Sequence, residues 1–500
     1  MDKTDSLSIG ELMGLSGVGF GTSGARGLAT TMTDRVCYAY TVGFLQYLER
    51  CDRIRPGDAV ALAGDRRPST PRIMAACQRA CQELGYRPIN CGELPTPAVA
   101  AYGEREGIAS LMVTGSHIPD DRNGIKFYKP DGEILKADEE RIREQVVDLP
   151  QRLFDPDTGN FVEPETLPPA DLAAYRHYVA RYLDVFPPEA LSGTRVLLYA
   201  HSTVAAPLMA EVLAGLGAEV VTVGESTVFV PVDTEAIRPE DIDLGREWAA
   251  TQRFDAIVSA DGDGDRPLVG DERGEWLRGD LAGILVARYL DADCVVTPVS
   301  SNSALERSGW VAAVRRTRIG SPLVIEAMQE AAAEGYRRVV GFEANGGFLL
   351  QTPIDVDDRQ LSALPTRDAL IVALTLLLSA RAQGRTLSQL RAQLPARYTA
   401  SDRLKAFPTE LAQRQIAALR EGGAAAIEAA FPQLGTLRQM DETDGLRLQF
   451  ASGEILHLRP SGNAPELRCY NEADSAERVA ALNAQCLAQL ARWREEAAND

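Results

Sequence analysis

The sequence predicts an α/β protein of several domains with largely parallel strands, followed by a smaller α+β domain at its C-terminus. Three observations lead there. The chain has 500 residues, more than one hydrophobic core can serve, so three or four domains are expected. Apolar runs of strand length alternate with amphipathic runs of helix length through most of it. Over roughly the last hundred residues the texture changes to short strands and a closing helix.

In chain order, AVALAGD (59–65) is a strand followed by the helix STPRIMAACQRACQELG (69–85), and RVLLYA (195–200) is followed by APLMAEVLAGLG (206–217). FDAIVSAD (254–261), CVVTPVS (294–300) and RVVGFEA (338–344) read as further strands, and PLVIEAMQEAAAEG (322–335) as a helix. Each helix ends at or near a glycine, the residue that best adopts the left-handed C-terminal cap. The stretch 149–172, rich in Pro, Asp and Glu, reads as a linker. Further breaks fall near GDERGEW (270–276) and between ALIVALTLLLSARAQG (369–384) and LPARYTASDRLKAF (394–407). These breaks divide the chain into 1–163, 164–275, 276–390 and 391–500. In the last part LRLQFASGEILHLRP (446–460) reads as a hairpin turning at Ser452-Gly453, and a helix starts at about Ser475.

Composition is that of an ordinary globular protein, 45% hydrophobic and 25% charged. A formal net charge of −19 argues against a nucleic-acid partner, because phosphate backbones reward surplus Lys and Arg. A small phosphorylated ligand needs only a local basic pocket and is not excluded. The eight cysteines (37, 51, 77, 81, 91, 294, 469 and 486) form no C-x-x-C pair and read as reduced thiols of a cytoplasmic protein. The N-terminus lacks an apolar leader and no stretch approaches about eighteen apolar residues, so neither secretion nor membrane insertion is expected.

Four loops carry candidate chemistry. In VTGSHIPDDRNGIKFY (113–128) an apolar run delivers Ser116 at the exit of a strand, where α/β proteins place reactive groups. His117 and Lys126 stand close by for proton movement or charge balance. Thr114 takes the place of the first glycine of a nucleophile elbow, and a serine capping a turn beside a hydrogen-bonded histidine fits equally. In SADGDGDRPLV (259–269), Asp261, Asp263 and Asp265 alternate with glycines, so three carboxylates can converge and a hard divalent cation would relieve their repulsion. An EF-hand would place Glu272 at its twelfth position, but Arg266 stands where that loop needs glycine; a solvated acidic turn is the other alternative.

In RVVGFEANGGFLL (338–350), Glu343 and Asn345 beside Gly346-Gly347 could hold sugar hydroxyls, or form a plain β-turn. In LRPSGNAPELRCY (458–470), Arg459, Ser461, Gly462, Asn463 and Arg468 supply guanidinium forks, a hydroxyl, an amide and backbone N–H groups, the makings of a phosphate cradle or of an arginine-flanked surface turn. The turn FGTSGARGLA (20–29) offers Ser23 and Arg26 to an anion but lacks the lysine and spacing of a P-loop.

Together, in this order, the loops resemble those of the α-D-phosphohexomutase family, which includes phosphomannomutases and phosphoglucomutases, over almost the whole chain. TGSHIP is similar to the phosphoserine loop T-A/G-S-H-N-P, with Ile118 in place of Asn, and puts Ser116 in the phosphorylated position. Asp261, Asp263, Asp265 and Arg266 match the metal loop D-G-D-x-D-R. Arg459, Ser461, Gly462 and Arg468 match the phosphate loop, with Asn463 where threonine is usual. Arg26 and Lys126 fall in the N-terminal turn and in the N-G-x-K segment. The sugar loop departs most: it keeps Glu343, has Asn345 where serine is common, and lacks a histidine.

The resemblance implies three similar α/β domains with mixed, largely parallel sheets and a smaller α+β domain around a central cleft. In chain order they would bear the phosphoserine, the metal, the sugar loop and the phosphate loop. It implies interconversion of hexose 1-phosphate and hexose 6-phosphate through phosphoserine 116, with Mg²⁺ held by the three aspartates and a phosphoserine oxygen, and a hexose 1,6-bisphosphate as intermediate and activator. Arg26, His117 and Lys126 would serve catalysis, while Arg266, Glu343, Asn345 and the phosphate loop would bind substrate. Mannose phosphate is the first expectation and glucose phosphate the second, since the loop lacks the glutamine-serine form associated with glucosamine phosphate. A phosphatase and a non-catalytic calcium module are the competing readings; monomer and dimer both stay open.

Overall fold

In the computed structural model, which describes residues 4–21, 24–461 and 465–499, the chain forms two compact units. One comprises 1–295 with 320–391, the other 296–319 with 392–500.

The first unit begins with a mixed sheet in the order Gly19–Phe20, Ala25–Leu28, Arg122–Lys129, Ala109–Val113, Ala59–Gly64, Arg87–Glu93. Its three central α/β strands are parallel, and Arg122–Lys129 returns antiparallel beside Ala109–Val113. The middle strand, AVALAG, is small-sided and wholly buried, as a strand covered on both faces must be. Helices Asp34–Arg50 and Thr70–Glu83 pack Phe44, Leu48, Ile73 and Cys77 onto Val60, Leu62, Leu111 and Phe127 in one core.

The second sheet runs Glu219–Glu225, Arg195–His201, Ala256–Ala260, Pro267–Gly270, parallel except for the last pair, which is a hairpin. A further antiparallel pair, Val339–Phe342 with Phe348–Leu350, presents residues 343–347 at its turn. Behind it lies the helix Ala369–Gln383, apolar around most of its surface and correspondingly buried.

The stretch expected to be a linker, 149–172, is packed at its start and mostly exposed from 156 onward. Val146–Pro150 pairs antiparallel with Thr4–Ser8, Leu153 and Phe154 enter the first core, and Phe154 stacks on Phe161 at 5.3 Å. Leu149, Leu153, Phe154 and Phe161 hold its first part down, while the Pro- and Glu-rich remainder lies largely at the surface.

The second unit is built on a five-stranded antiparallel sheet ordered Tyr398–Lys405, Glu466–Ala473, Ile455–Pro460, Leu446–Phe450, Leu437–Asp441. Strict alternation along Leu446–Phe450 sends Leu446, Leu448 and Phe450 into a core shared with helices Thr409–Ala430 and Ala476–Asn499. The segment 296–319 belongs to this unit and is tied to it by Ser303 N, which donates to Glu472 Oε2 at 2.9 Å, and Ile319 N, which donates to Asp444 Oδ2 at 2.9 Å. No helix among the described residues is long and apolar enough to cross a membrane.

Candidate active site

Strand Ala109–Val113 ends in Thr114-Gly115-Ser116, and the serine is buried with a left-handed φ of 58°. Such a backbone costs a non-glycine residue about 1–2 kcal/mol, so its surroundings must hold it. They do so through a buried pair that sequence reasoning missed. Asp65, at the end of the neighbouring strand, accepts from Thr70 Oγ1 at 2.8 Å and from Thr114 Oγ1 at 2.7 Å, and is ion-paired with Arg67. Thr114 Oγ1 in turn accepts from Ser116 N at 2.7 Å, and Arg67 Nη2 donates to Ser116 O at 2.9 Å. The Arg67 guanidinium lies 4.1 Å from the centroid of the Phe229 ring. Gly115 lacks a side chain where a Cβ would meet the guanidinium at 2.8 Å.

Ser116 Oγ donates to Asp261 Oδ2 at 2.6 Å and lies 3.3 Å from His117 Nδ1. Asp261 follows strand Ala256–Ala260 and opens the acidic loop. Its Oδ1 accepts from the backbone N–H of Asp265 and of Arg266, which closes the loop on itself. Asp261, Asp263 and Asp265 are fully buried, and one oxygen from each lies within 4.8 Å of the others.

Lys126 Nζ donates to Asp263 Oδ2 at 2.6 Å and to Asp265 Oδ2 at 2.5 Å, and Thr96 Oγ1 donates to Asp263 Oδ2 at 2.5 Å. Arg367 donates to Asp265 Oδ2 from Nε at 3.1 Å and to Glu343 Oε2 from Nη1 at 3.2 Å. The other oxygens, Asp263 Oδ1 and Asp265 Oδ1, are buried without a hydrogen-bond partner. A buried carboxylate oxygen left bare is expensive, and three such carboxylates fit the all-oxygen demand of a hard divalent cation. The donor set and the bare oxygens therefore suit a metal. Glu272 does not join them: its carboxylate accepts from Ser388 Oγ and N, so the EF-hand alternative fails.

Burial and the like charges of Asp263 and Asp265 push the Asp261 carboxyl well above its ordinary range. For Asp263 burial acts in the same direction, but Lys126 overrides it and holds that carboxyl below the usual range. Burial also opposes the Lys126 charge, yet Asp263 and Asp265 raise it, so Lys126 is a fixed cation. His117 is pushed down to about 2 by burial and by Arg266 and Arg26. Arg266 Nη1 lies 2.9 Å from its Nδ1, and a guanidinium can only donate, so His117 is a neutral imidazole with Nδ1 as acceptor. Arg26 sits opposite Gly124 in the sheet, pushed down to about 10 by burial and by the neighbouring Arg266. These groups concentrate cationic charge beside Ser116, inside a protein that is acidic as a whole.

In the loop 343–347 Asn345 Oδ1 accepts from Gly347 N at 2.9 Å, which ties the side chain to its own turn. Thr234 Oγ1 donates to Asn345 O at 2.7 Å. In the second unit Arg459 and Arg468 are cross-strand partners, and Arg403 faces Arg468 on its other side, so three guanidinium stems form a row. Arg459 Nε lies 2.9 Å from Asp444 Oδ2, and Ser461 N donates to Glu466 O at 2.9 Å. Gly462 and Asn463 lie outside the described residues, as does Ser23. Within the first unit the fold thus brings together Ser116, His117, Lys126, the three aspartates and Arg266, with Arg26 close by and Glu343 tied in through Arg367.

Four domain models of one family match the chain, each described as phosphoglucomutase/phosphomannomutase. The α/β/α domains I, II and III match residues 17–152, 173–274 and 278–398, and the C-terminal domain matches 406–489. A phosphomannomutase of Sinorhizobium fredii is 45% identical across 94% of this chain and 98% of its own length. One of Salmonella muenchen is 43% identical across 93% of this chain and 94% of its own. The crystal structure of a phosphoglucomutase/phosphomannomutase family protein from Burkholderia thailandensis shares the fold, with a TM-score of 0.70, 20% identity and coverage of 94% of this chain and 97% of that one. The chain belongs to the phosphoglucomutase/phosphomannomutase family and is an intramolecular phosphotransferase of the phosphohexomutase kind.

Proposed function

We propose that the chain interconverts mannose 1-phosphate and mannose 6-phosphate through phosphoserine 116, with glucose phosphates as the second choice of substrate. The observation that carries this reading is the 2.6 Å hydrogen bond from Ser116 Oγ to Asp261, a hydroxyl held out of water against a carboxylate cluster, with Arg67 on the serine's backbone carbonyl and Arg266 on the neighbouring His117. The two phosphomannomutase relatives support mannose.

In the first half-reaction the phosphoserine O–P bond breaks as the bond from sugar O6 to phosphorus forms. The O6 hydroxyl loses a proton and Ser116 Oγ gains one. The resulting hexose 1,6-bisphosphate turns over, and Ser116 Oγ takes the phosphoryl group back from O1 as the proton traffic reverses. We assign proton transfer and charge balance to His117 and Lys126 together; His117 Nδ1 lies 3.3 Å from Oγ and takes a proton only once Arg266 has released it. Arg26 and Arg266 face the transferring phosphoryl oxygens. Glu343 and the Nδ2 of Asn345 take sugar hydroxyls, and Arg459, Ser461, Gly462, Asn463 and Arg468 hold the phosphate that is not being transferred.

Asp261, Asp263 and Asp265 with a phosphoserine oxygen would hold Mg²⁺, which when bound offsets negative charge on the transferring oxygens. The buried, free thiols, seven of eight, suit a reducing cytoplasm.

The test is a coupled assay with mannose 1-phosphate and glucose 1-phosphate, each primed with its 1,6-bisphosphate. A kcat/KM for mannose at least about tenfold higher is expected, worth some 1.4 kcal/mol of discrimination. A preference for glucose overturns the sugar assignment, and release of inorganic phosphate in place of isomerised sugar overturns the mutase.

A further inference from the structure

We propose that Arg367 is a positioning residue that aims two carboxylates at two different ligands, Asp265 at the cation and Glu343 at the sugar. The inference rests on the roles given to those carboxylates above, and it assigns work to a residue that neither motif contains.

Arg367 is buried, its side chain 4% exposed. Its guanidinium is shared: Nε and Nη2 lie 3.1 and 2.9 Å from Asp265 Oδ2, and Nη1 lies 3.2 Å from Glu343 Oε2. It takes one oxygen from each carboxylate. That leaves Asp265 Oδ1, buried without a hydrogen-bond partner and 3.8 Å from Arg266 Nε, for a cation, and it leaves Glu343 Oε1 for a hydroxyl. A planar fork can fix two carboxylates at once, which a point charge cannot.

The fork itself is anchored from behind. The next residue, Asp368, caps helix Ala369–Gln383, accepting from Leu370 N at 2.9 Å. Asp368 also accepts from Tyr178 OH at 2.5 Å and from Tyr182 OH, both on helix Ala173–Leu183. In front, Gly347 is the residue that makes room. A Cβ there would lie 2.5 Å from Arg367 Cδ and 2.7 Å from Cγ, so the stem passes directly over the sugar loop. Held on both sides, the guanidinium fixes the aim of two groups that are 78 positions apart in the chain, Asp265 and Glu343.

The experiment is a double-mutant cycle read by binding, with no turnover required. Arg367→Met, Glu343→Gln and the pair are titrated with Mn²⁺ by electron paramagnetic resonance, and with mannose 1-phosphate by calorimetry. Arg367→Met is expected to weaken both Mn²⁺ and sugar phosphate by about tenfold or more. In the Glu343→Gln background its sugar effect is expected to disappear while its Mn²⁺ effect persists. Arg367→Lys is expected to restore one of the two affinities and not both; it carries the same cycle if the methionine variant fails to fold. Unchanged Mn²⁺ affinity, or a sugar loss that adds in full to that of Glu343→Gln, overturns the proposal. Failure of the wild-type chain to bind or isomerise hexose phosphate would instead overturn the functional reading beneath it.

Discussion

The carboxylate centre of the first unit and the arginine row of the second both manage charge, under different solvent regimes. Around Ser116 the ionic side chains are out of water: Lys126 is 3% exposed, Arg367 4%, and Asp263 and Asp265 are at 0%. Each is held by other protein groups. In the C-terminal sheet Arg459 is 21% exposed and Arg403 51%, with one carboxylate apiece at 2.9 and 3.7 Å. Desolvated charges lose heavily when a partner is removed, whereas exposed ones exchange partners at little cost. A site fixed before the substrate arrives suits chemistry that recurs at one atom. A site that can release its internal partner suits the proposed role of a cradle for a phosphate that comes and goes.

That contrast can be broken or sharpened in four ways. If Ser116 carries the phosphoryl group as proposed, Ser116→Ala is expected to lower kcat by roughly ten-thousand-fold or more in the coupled mutase assay. Arg67→Met leaves Asp65 buried and unpaired, and is expected to cost about 3–5 kcal/mol in urea unfolding. Adding Asp65→Asn should recover part of that loss; if the two losses simply add, the pair is not a unit.

Acid is expected to act on both regions alike. His201 in the first unit and His457 in the second are buried and pushed down to about 4, chiefly by burial. Their unfolded values lie near 6.5, so between about pH 6.5 and 4 the unfolded chain binds the extra proton. Stability is complete above about pH 6.5 and is lost as pH falls towards 4, by roughly 3 kcal/mol per histidine. His457→Gln should flatten that slope in pH-dependent urea melts, and an unchanged slope would remove the histidine from the account. The smallest effect is assigned to Arg468→Ala, with stability within about 1 kcal/mol and KM raised about 10–100-fold, as befits one charge-assisted contact. A large loss of stability there would erase the distinction between the two regions.

The sequence made the alternation of strands and helices readable, because burial on both faces leaves an unbroken apolar run such as AVALAG. It made the acidic loop readable because three carboxylates spaced by glycines have few other uses. Arg67, Asp65, Thr96 and Arg367 stayed hidden for the opposite reason. Each is a single polar residue within ordinary surroundings, and what it serves is remote: Arg367 meets Asp265 across 102 positions, Thr96 meets Asp263 across 167, and the adjacent Asp65 and Arg67 meet Thr114 and Ser116 across 49. The one available signal was GDRRPST (64–70), an aspartate and two arginines at the exit of a fully apolar strand. Asn345 shows a subtler limit. Its presence in the loop 343–347 was legible, but the hydrogen bond its amide oxygen accepts from Gly347 depends on the curl of the turn.

The left-handed backbone at Ser116 bears on how this chain can drift. Glycine, and to a lesser degree asparagine, would sit there with less strain, so selection for heat resistance alone would favour replacing the very residue to which the proposed function gives the phosphoryl group. A thermostable library screened only for survival is expected to accumulate inactive chains carrying Ser116→Gly, and any serine retained there marks the pressure of catalysis against that of folding.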